Sequence, residues 1–447
     1  MEDGWLLQFH EDLETCVTRV VSEMRVAWPC GCKMGNVDAS SVILRYLWQK
    51  YLCKRPAVPD ADTCRCAIKE VETSLLPLIM FKANLVEEQD NGNREWYECL
   101  KGQENKVLVF ATSPRILDYL RPLIKALEED FVLLSTTPVP DDFGIPSHGT
   151  VIRLRMLKAK FFRNAEMEQT LPWFYNFANA IGWFIEILKP RLLVCMDGCQ
   201  SEYRLAAAFC NEKHIPSVCL QLGWPSYLHT GFRDLPYTHF LTWGDKFNPL
   251  WEKYNKHTCF VAAGYMDEAI RNGQHRAITF FLQAPVYLNT EIYLDRMSDL
   301  IRVTATHYPD ISILVREHPE YRGNTRWLSR FLQCSNVSIV NNDKLADVYA
   351  RTKVVVSHFS SVLMEGLMYG CTPLVFNPTP GSSYYPDIEA EGIGFISKNE
   401  VEFFSKLPSC LRQAPLEELP QWFKATGKEA VDHIIKIIDD ILVEYEL

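Results

Sequence analysis

The chain has 447 residues, a length that sets an expectation of two or three domains. With 47% hydrophobic and 23% charged residues it has the composition of a soluble globular protein. Its formal net charge of −10 argues against general nucleic-acid binding but leaves room for a local basic groove that holds a phosphorylated ligand.

Residues 1–104 read as a helical, cysteine-rich region. VTRVVSEMRVAW and SSVILRYLWQKYL carry helix-like apolar spacing, and Asp38 to Ser41 offer a cap before the second. Pro77 interrupts a less regular stretch, TSLLPLIMFKANLVEEQ. The N-terminal MEDGWLLQFHEDLETC carries acids where a secretory leader needs positive charge. No apolar run is long enough to span a bilayer. The expected location is therefore the cytoplasm, with room for a peripheral contact at the inner face of a membrane. Seven of the fifteen cysteines fall in the first hundred residues, including the Cys-x-Cys pairs Cys30/Cys32 and Cys64/Cys66. That spacing is tighter than zinc sites use and no histidines complete it, so reduced thiols and no metal are expected. Cys195, Cys219 and Cys371 sit in apolar runs and read as core.

At Lys106 the pattern changes. KVLVFATS reads as a buried strand, PRILDYLRPLIKALEED as an amphipathic helix and FVLLST as a second strand. This β–α–β opening predicts a parallel, doubly wound lobe over 105–267. It lacks GxGxxG, so no dinucleotide site is indicated. MEQTLPWFYNFANAIGWFIEILKP reads as a long helix, RLLVCMDGCQ as a strand ending in Asp197-Gly198, SEYRLAAAFCNEKHI as a helix and SVCLQLG as a strand. HFLTWG and FVAAGY close the lobe, and MDEAIRNGQHR reads as the linker. A second β–α series over 275–410 runs through AITFFLQAP, ISILVREHP, VSIVNN, KVVVSHFSS and TPLVFNP. PQWFKATGKEAVDHIIKIIDDILVEYEL, within 411–447, reads as a long amphipathic helix that packs back across the first lobe. The fold class is α/β: two Rossmann-like lobes facing one cleft, with a helical N-terminal extension.

Loops at the carboxyl ends of parallel strands line such a cleft, and the candidates come from there. Asp197 ends a buried strand beside a glycine and suits a general base for an acceptor hydroxyl; the other reading is a helix cap. His318 and Pro319 follow ISILV, with Arg316 just before; the histidine could donate to a phosphate and the arginine bind a base or phosphate. Ser360 and Ser361 open a helix where hydroxyls and backbone N–H groups could meet a phosphate, or they merely cap it. Asp343 and Glu365 are acids that could accept from ribose hydroxyls; the plain reading of Glu365 is a solvated helical residue. Gln221, His229 and Asp234 fall in first-lobe loops read as cleft-side, and Gln283 closes the first strand of the second lobe.

The order of strand–Asp-Gly, QLGW, WGD, REHP and SSVLMEGLMYGCTPLVF resembles glycosyltransferases of the GT-B fold. It is most similar to bacterial enzymes using CMP-activated acidic sugars, the sialyltransferases and the Kdo transferases of capsule and lipopolysaccharide assembly. The resemblance covers roughly residues 105–410 and rests on Asp197-Gly198, His318-Pro319 and Ser360-Ser361. It implies transfer of Kdo or a sialic acid to a glycan or glycolipid, with no cofactor beyond the donor. Asp197 would be the base, His318 with Ser360 and Ser361 would hold the CMP phosphate, Arg316 would stand where such enzymes often have lysine, and Asp343 would take the ribose. FFLQAP has no acid where a retaining enzyme would keep a carboxylate nucleophile, which argues against double displacement. The alternatives are a GT-B protein with another donor (a UDP-sugar transferase or epimerase, or a CDP-polyol phosphotransferase) and a non-catalytic scaffold of a polysaccharide assembly complex.

Overall fold

The computed structural model describes residues 100–154, 167–224, 230–268, 273, 276–283, 291–319, 322–323, 325–378, 387–417 and 419–445, with scattered positions between 11 and 45. Strand β1 (Val107–Ala111) is apolar on both faces and buried at all five positions, as a central parallel strand must be. Helix α1 (Pro114–Ala126) follows at once. Ser113 caps it by accepting from the Ile116 N–H at 3.3 Å, and Pro114 stands where a missing N–H costs nothing. Ile116, Leu117, Leu120, Leu123 and Ile124 form its buried stripe.

The first lobe continues through β2 (Phe131–Ser135), β3 (Gly149–Arg153), α2 (Met167–Leu188), β4 (Leu192–Met196), α3 (Ser201–Glu212), β5 (Ser217–Leu220), β6 (His239–Thr242), α4 (Asn248–Tyr254) and β7 (Cys259–Ala262). These seven strands form one parallel sheet ordered β3-β2-β1-β4-β5-β6-β7. The second lobe comprises β8 (Ala277–Phe281), α5 (Glu291–His307), β9 (Ile313–Arg316), α6 (Thr325–Leu328), β10 (Val337–Ile339), α7 (Leu345–Arg351), β11 (Thr352–Ser357), α8 (Val362–Met368), β12 (Thr372–Phe376), β13 (Phe395–Ser397) and α9 (Glu400–Arg412). Its six strands are parallel too, ordered β10-β9-β8-β11-β12-β13. Both sheets reverse their order once, at β1/β4 and at β8/β11. Those reversals open the crevices that bind ligands in doubly wound folds.

The two faces of the second sheet go to different cores. Ile278, Phe280, Val354 and Val356 pack with α5 and α9. Ala277, Phe281 and Val355, on the alternate face, join α8 residues Leu363, Met364, Leu367 and Met368 in a core continuous with the first lobe. Between the lobes, the Trp224 N–H donates to Ser361 Oγ at 2.8 Å and the Tyr369 hydroxyl to the Glu268 carbonyl at 3.3 Å. A Cβ on Gly223 would lie 2.6 Å from Ser361 Oγ, so this approach requires glycine.

The C-terminal helix α10 (Gly427–Tyr445) packs against α1 of the first lobe. It begins seven residues later than its amphipathic pattern suggests. The residues before it are held in non-helical contacts: Trp422 is fully buried against Phe247, the Lys424 N–H donates to the Trp243 carbonyl at 2.8 Å, and Thr426 pairs with Tyr265. Among the described N-terminal residues, short strands Lys33–Met34 and Val37–Asp38 pair antiparallel, an element absent from the helical expectation. Most of residues 1–104, both Cys-x-Cys pairs included, lies outside the described residues. Among the described residues no helix is long and apolar enough to cross a membrane, and no group of three or more His, Cys, Asp or Glu is placed to hold a metal ion.

Candidate active site

Asp197 and Gly198 follow β4 at the reversal point of the first sheet, and both have positive φ, 89° and 83°. The left-handed turn strains Asp197 by about 1–3 kcal/mol, a cost that tends to collect at functional sites. Gly198 cannot carry a side chain here, because a Cβ would meet the Phe240 ring at 2.7 Å. The turn is held by the Asp197 N–H donating to the Leu220 carbonyl at 3.0 Å. Asp197 Oδ2 accepts from Gln200 Nε2 at 2.8 Å, and among the described residues Oδ1 has only the weak Cys199 thiol at 3.6 Å. Burial raises the Asp197 carboxyl above its ordinary value, while Gln200, Cys199 and Arg115 pull it back. Asp197 is not the cap of α3: Gln200 holds that position and makes no side-chain cap bond.

Across the cleft, α8 presents Ser361 and Glu365. Ser361 occupies the cap position of α8 but makes no side-chain cap bond; its hydroxyl serves Trp224 of the other lobe. Ser360 lies in the same turn, and its hydroxyl has no partner among the described residues. Glu365 is 3% exposed, which corrects the reading of a solvated helical residue. Its Oε2 accepts from the Tyr349 hydroxyl at 3.3 Å. Burial pushes its carboxyl up to about 7, with Arg115 and the Tyr349 bond opposing and Asp267 adding to the push. Arg115, in the first turn of α1, interacts electrostatically with both Asp197 and Glu365 and lies 5.5 Å from the Tyr119 ring centroid. One guanidinium thus feels the charge of a carboxyl from each lobe.

The other predicted residues separate into groups. His318 and Pro319 follow β9, one strand from β8 and two from β11, so His318 shares the carboxyl edge with Ser360 at a lateral spacing of roughly 10 Å. Arg316 donates one nitrogen to the carbonyls of Val340 at 2.9 Å and Asp343 at 2.8 Å. Asp343 follows the edge strand β10 and pairs with Arg351. Gln283 Oε1 accepts from the Phe359 N–H at 3.0 Å and ties the β8 end to the β11 turn. Gln221 is buried, with Nε2 on the Gly223 carbonyl and Oε1 on the Trp243 N–H. It shapes the loop and also lines a small pocket with Tyr119, Tyr265 and Asp267. Asp234 departs from the cleft-side expectation. Its N–H donates to the Tyr254 carbonyl beside the amino ends of β6 and β7, opposite to the crevice, and its carboxylate faces Ser41 and Arg45. The loop from β5 to β6 crosses the whole sheet edge to edge, and Asp234 comes late in it. His229 lies outside the described residues.

Two parallel lobes with facing reversal points settle the fold. The chain has a GT-B-like fold. No family model matches the chain, and no curated protein does. Among solved structures it is similar to the UDP-GlcNAc 2-epimerase of Methanocaldococcus jannaschii in complex with UDP-GlcNAc and UDP, at 12% identity and TM-score 0.54, covering 75% of this chain and 99% of that one. It is also similar to the UDP-GlcNAc 2-epimerase of Neisseria meningitidis bound to UDP-GlcNAc, at 14% identity and TM-score 0.53, covering 76% and 99%. A third is the S. aureus MnaA–UDP structure, at 12% identity and TM-score 0.53, covering 76% and 97%.

Sequence reasoning missed Arg115, Tyr119, Thr112 and Gln200. The first three follow β1 within a few residues, in FATSPRILDY, at the carboxyl end of the strand that defines the reversal point. Applying to β1 the rule that singled out Asp197 after β4 finds them.

Proposed function

We propose that the protein transfers a sugar from a nucleotide-sugar donor held by the second lobe to an acceptor held by the first. The observation that carries this reading is the contact of the two carboxyl-end turns, where the Trp224 N–H of one lobe donates to Ser361 Oγ of the other at 2.8 Å. In this reading Asp197 takes the proton of an acceptor hydroxyl, the freed oxygen attacks the anomeric carbon, and the bond from that carbon to the phosphate breaks with its electron pair leaving on the nucleotide. His318, Ser360 and Ser361 stabilise the charge on the departing phosphate, and Glu365 and Asp343 are the acids for ribose hydroxyls. The donor is a CMP-activated Kdo or sialic acid, and the acceptor a glycan or glycolipid of surface polysaccharide synthesis. The support for this finer choice is the order of Asp197-Gly198, His318-Pro319 and Ser360-Ser361. The reading needs no cofactor besides the donor and puts the reaction in the cytoplasm, at the inner face of a membrane where the acceptor is a glycolipid.

A second reading, a UDP-sugar epimerase or transferase, is favoured by the likeness of the fold to UDP-GlcNAc 2-epimerases. Thermal protection separates the two, since a ligand that binds only the folded state raises its melting temperature. CMP should protect more than UMP or UDP at equal concentration, and Ser360→Ala with Ser361→Ala should abolish the effect in a protein that still folds. Stronger protection by UDP moves the donor to the UDP class. Asp197→Asn should cut single-turnover transfer by about two to four orders of magnitude with little change in nucleotide affinity. Near-normal turnover in that variant removes Asp197 from the mechanism.

A further inference from the structure

Behind Asp197 the first lobe holds a chain of four hydrogen bonds that runs in one direction. The Thr112 N–H donates to the Tyr203 hydroxyl at 2.9 Å. That oxygen lies 2.8 Å from Thr112 Oγ1, which in turn donates to Gln200 Oε1 at 2.9 Å. Gln200 Nε2 donates to Asp197 Oδ2 at 2.8 Å. The Thr112 hydroxyl has one proton and gives it to Gln200, so the Tyr203 hydroxyl must be the donor to Thr112. Tyr203 is fully buried on α3, and burial disfavours its ionised form against the pull of its Thr112 hydrogen bonds, so its proton stays in place. The orientation is fixed from the carboxylate end. A reversed Gln200 amide would set Oε1 against the Asp197 carboxylate, so Nε2 faces Oδ2 and Oε1 is left to accept from Thr112.

We propose that Tyr203, Thr112 and Gln200 form a directional relay that keeps Oδ2 of Asp197 an acceptor and leaves Oδ1 as the oxygen that takes a proton. Tyr203 is a positioning residue, acting through two others without reaching the cleft. The inference rests on the reading of Asp197 as the base. Among the described residues, the titratable groups that interact electrostatically with Asp197 are Arg115 from α1, Cys199 from its own turn, Cys219 from β5 and Tyr203 from α3. Arg115 favours the ionised carboxylate by charge, whereas the relay favours it by direction, and the two effects can be separated by substitution.

The test is the titration of Asp197 itself. Carbon-13-labelled aspartate would be followed by NMR, with the Asp197 signal assigned by its loss in Asp197→Asn. Gln200→Leu should raise the Asp197 midpoint by about one pH unit, because a donor to the charged form is gone. Tyr203→Phe, which keeps the ring and removes only the hydroxyl, should raise it in the same direction by a smaller amount. The double variant should match Gln200→Leu alone, because a relay has nothing to transmit once its last link is cut. Shifts that add, or a midpoint unmoved by Tyr203→Phe in a protein with an unchanged fold, would overturn the relay. Single-turnover transfer against pH gives the second readout: its acid limb should move with the carboxyl midpoint. A carboxyl shift with an unmoved acid limb supports the relay and removes the base role from Asp197.

Discussion

Replacing Glu365 by glutamine should change how stability depends on pH, in a direction fixed by the burial of this one group. The carboxyl is 3% exposed and titrates at about 7 in the fold against an ordinary 4.5. The folded state therefore holds the proton more tightly than the unfolded state does. Its contribution is fully present below the unfolded value and is lost as pH rises through about 7. A gap of about 2.5 pH units corresponds to about 3 kcal/mol. Wild-type protein conceals this loss. His358 is fully buried, stacked 4.7 Å from the Tyr293 ring centroid, and pushed by burial down to about 3 against the pull of Asn377. A depressed histidine acts in the opposite sense: its contribution is complete above an ordinary 6.5 and falls as pH drops below it. Between 4.5 and 6.5 the two slopes nearly cancel, so the informative quantity is the difference between Glu365→Gln and wild type. Glutamine keeps the shape and carries no titrating proton. Relative to wild type, the variant should gain about 3 kcal/mol from pH 4.5 to pH 8. For a chain of this length that is about 3 °C in melting temperature, given an unfolding entropy of about 2 cal/mol/K per residue. Scanning calorimetry of both proteins at half-unit steps provides the curve. A difference that stays flat within about 1 °C would mean that the Glu365 carboxylate is solvated or compensated, and the reasoning would fail.

Further outcomes follow from contacts at the lobe boundary and the strained turn. Ser361→Ala removes the acceptor of the Trp224 N–H and should cost about 1–2 kcal/mol in denaturant unfolding; an unchanged midpoint would show that this bond adds no net stability. Gly223→Ala places a methyl 2.6 Å from Ser361 Oγ and should be worse than Ser361→Ala, while the double variant should recover part of the loss; purely additive losses would refute the close approach. Asp197→Gly and Asp197→Ala both lose the Gln200 bond and should both abolish transfer, but glycine relieves a φ of 89° and should be the more stable by about 1 kcal/mol; equal stability would show that the turn is not strained.

Most of the architecture was legible because parallel strands buried on both faces read as short apolar runs. VLVFA, LLVCM, VVVS and PLVF all stand where their patterns put them. The strand GTVIR escaped notice because it is an edge strand with one buried position among five. The start of α10 escaped because amphipathic spacing in PQWFKATG records burial without recording geometry; Trp422 and Phe423 are buried as plugs, and Gly427 turns the chain at a φ of 58°. At the site, Asp197 and Glu365 were visible as acids near strand ends. Glu365 is buried beside Tyr349 and feels the charges of Arg115 and Asp267, partners more than a dozen residues away in sequence, and no local pattern carries that information.

The return of the C-terminal segment to the first lobe constrains how the cleft can open. The chain crosses the boundary once between Glu268 and Arg276 and again between Gln413 and Trp422, where Lys353 holds the Gln413 carbonyl on one side and Phe247 meets the Trp422 ring on the other. Besides these two crossings, a shared apolar core, the Lys246–Glu391 ion pair at 2.8 Å and the Trp224–Ser361 bond hold the lobes together. Widening the cleft would have to expose that core and break both polar contacts at once, so the spacing of the two turns is set by the packing behind them.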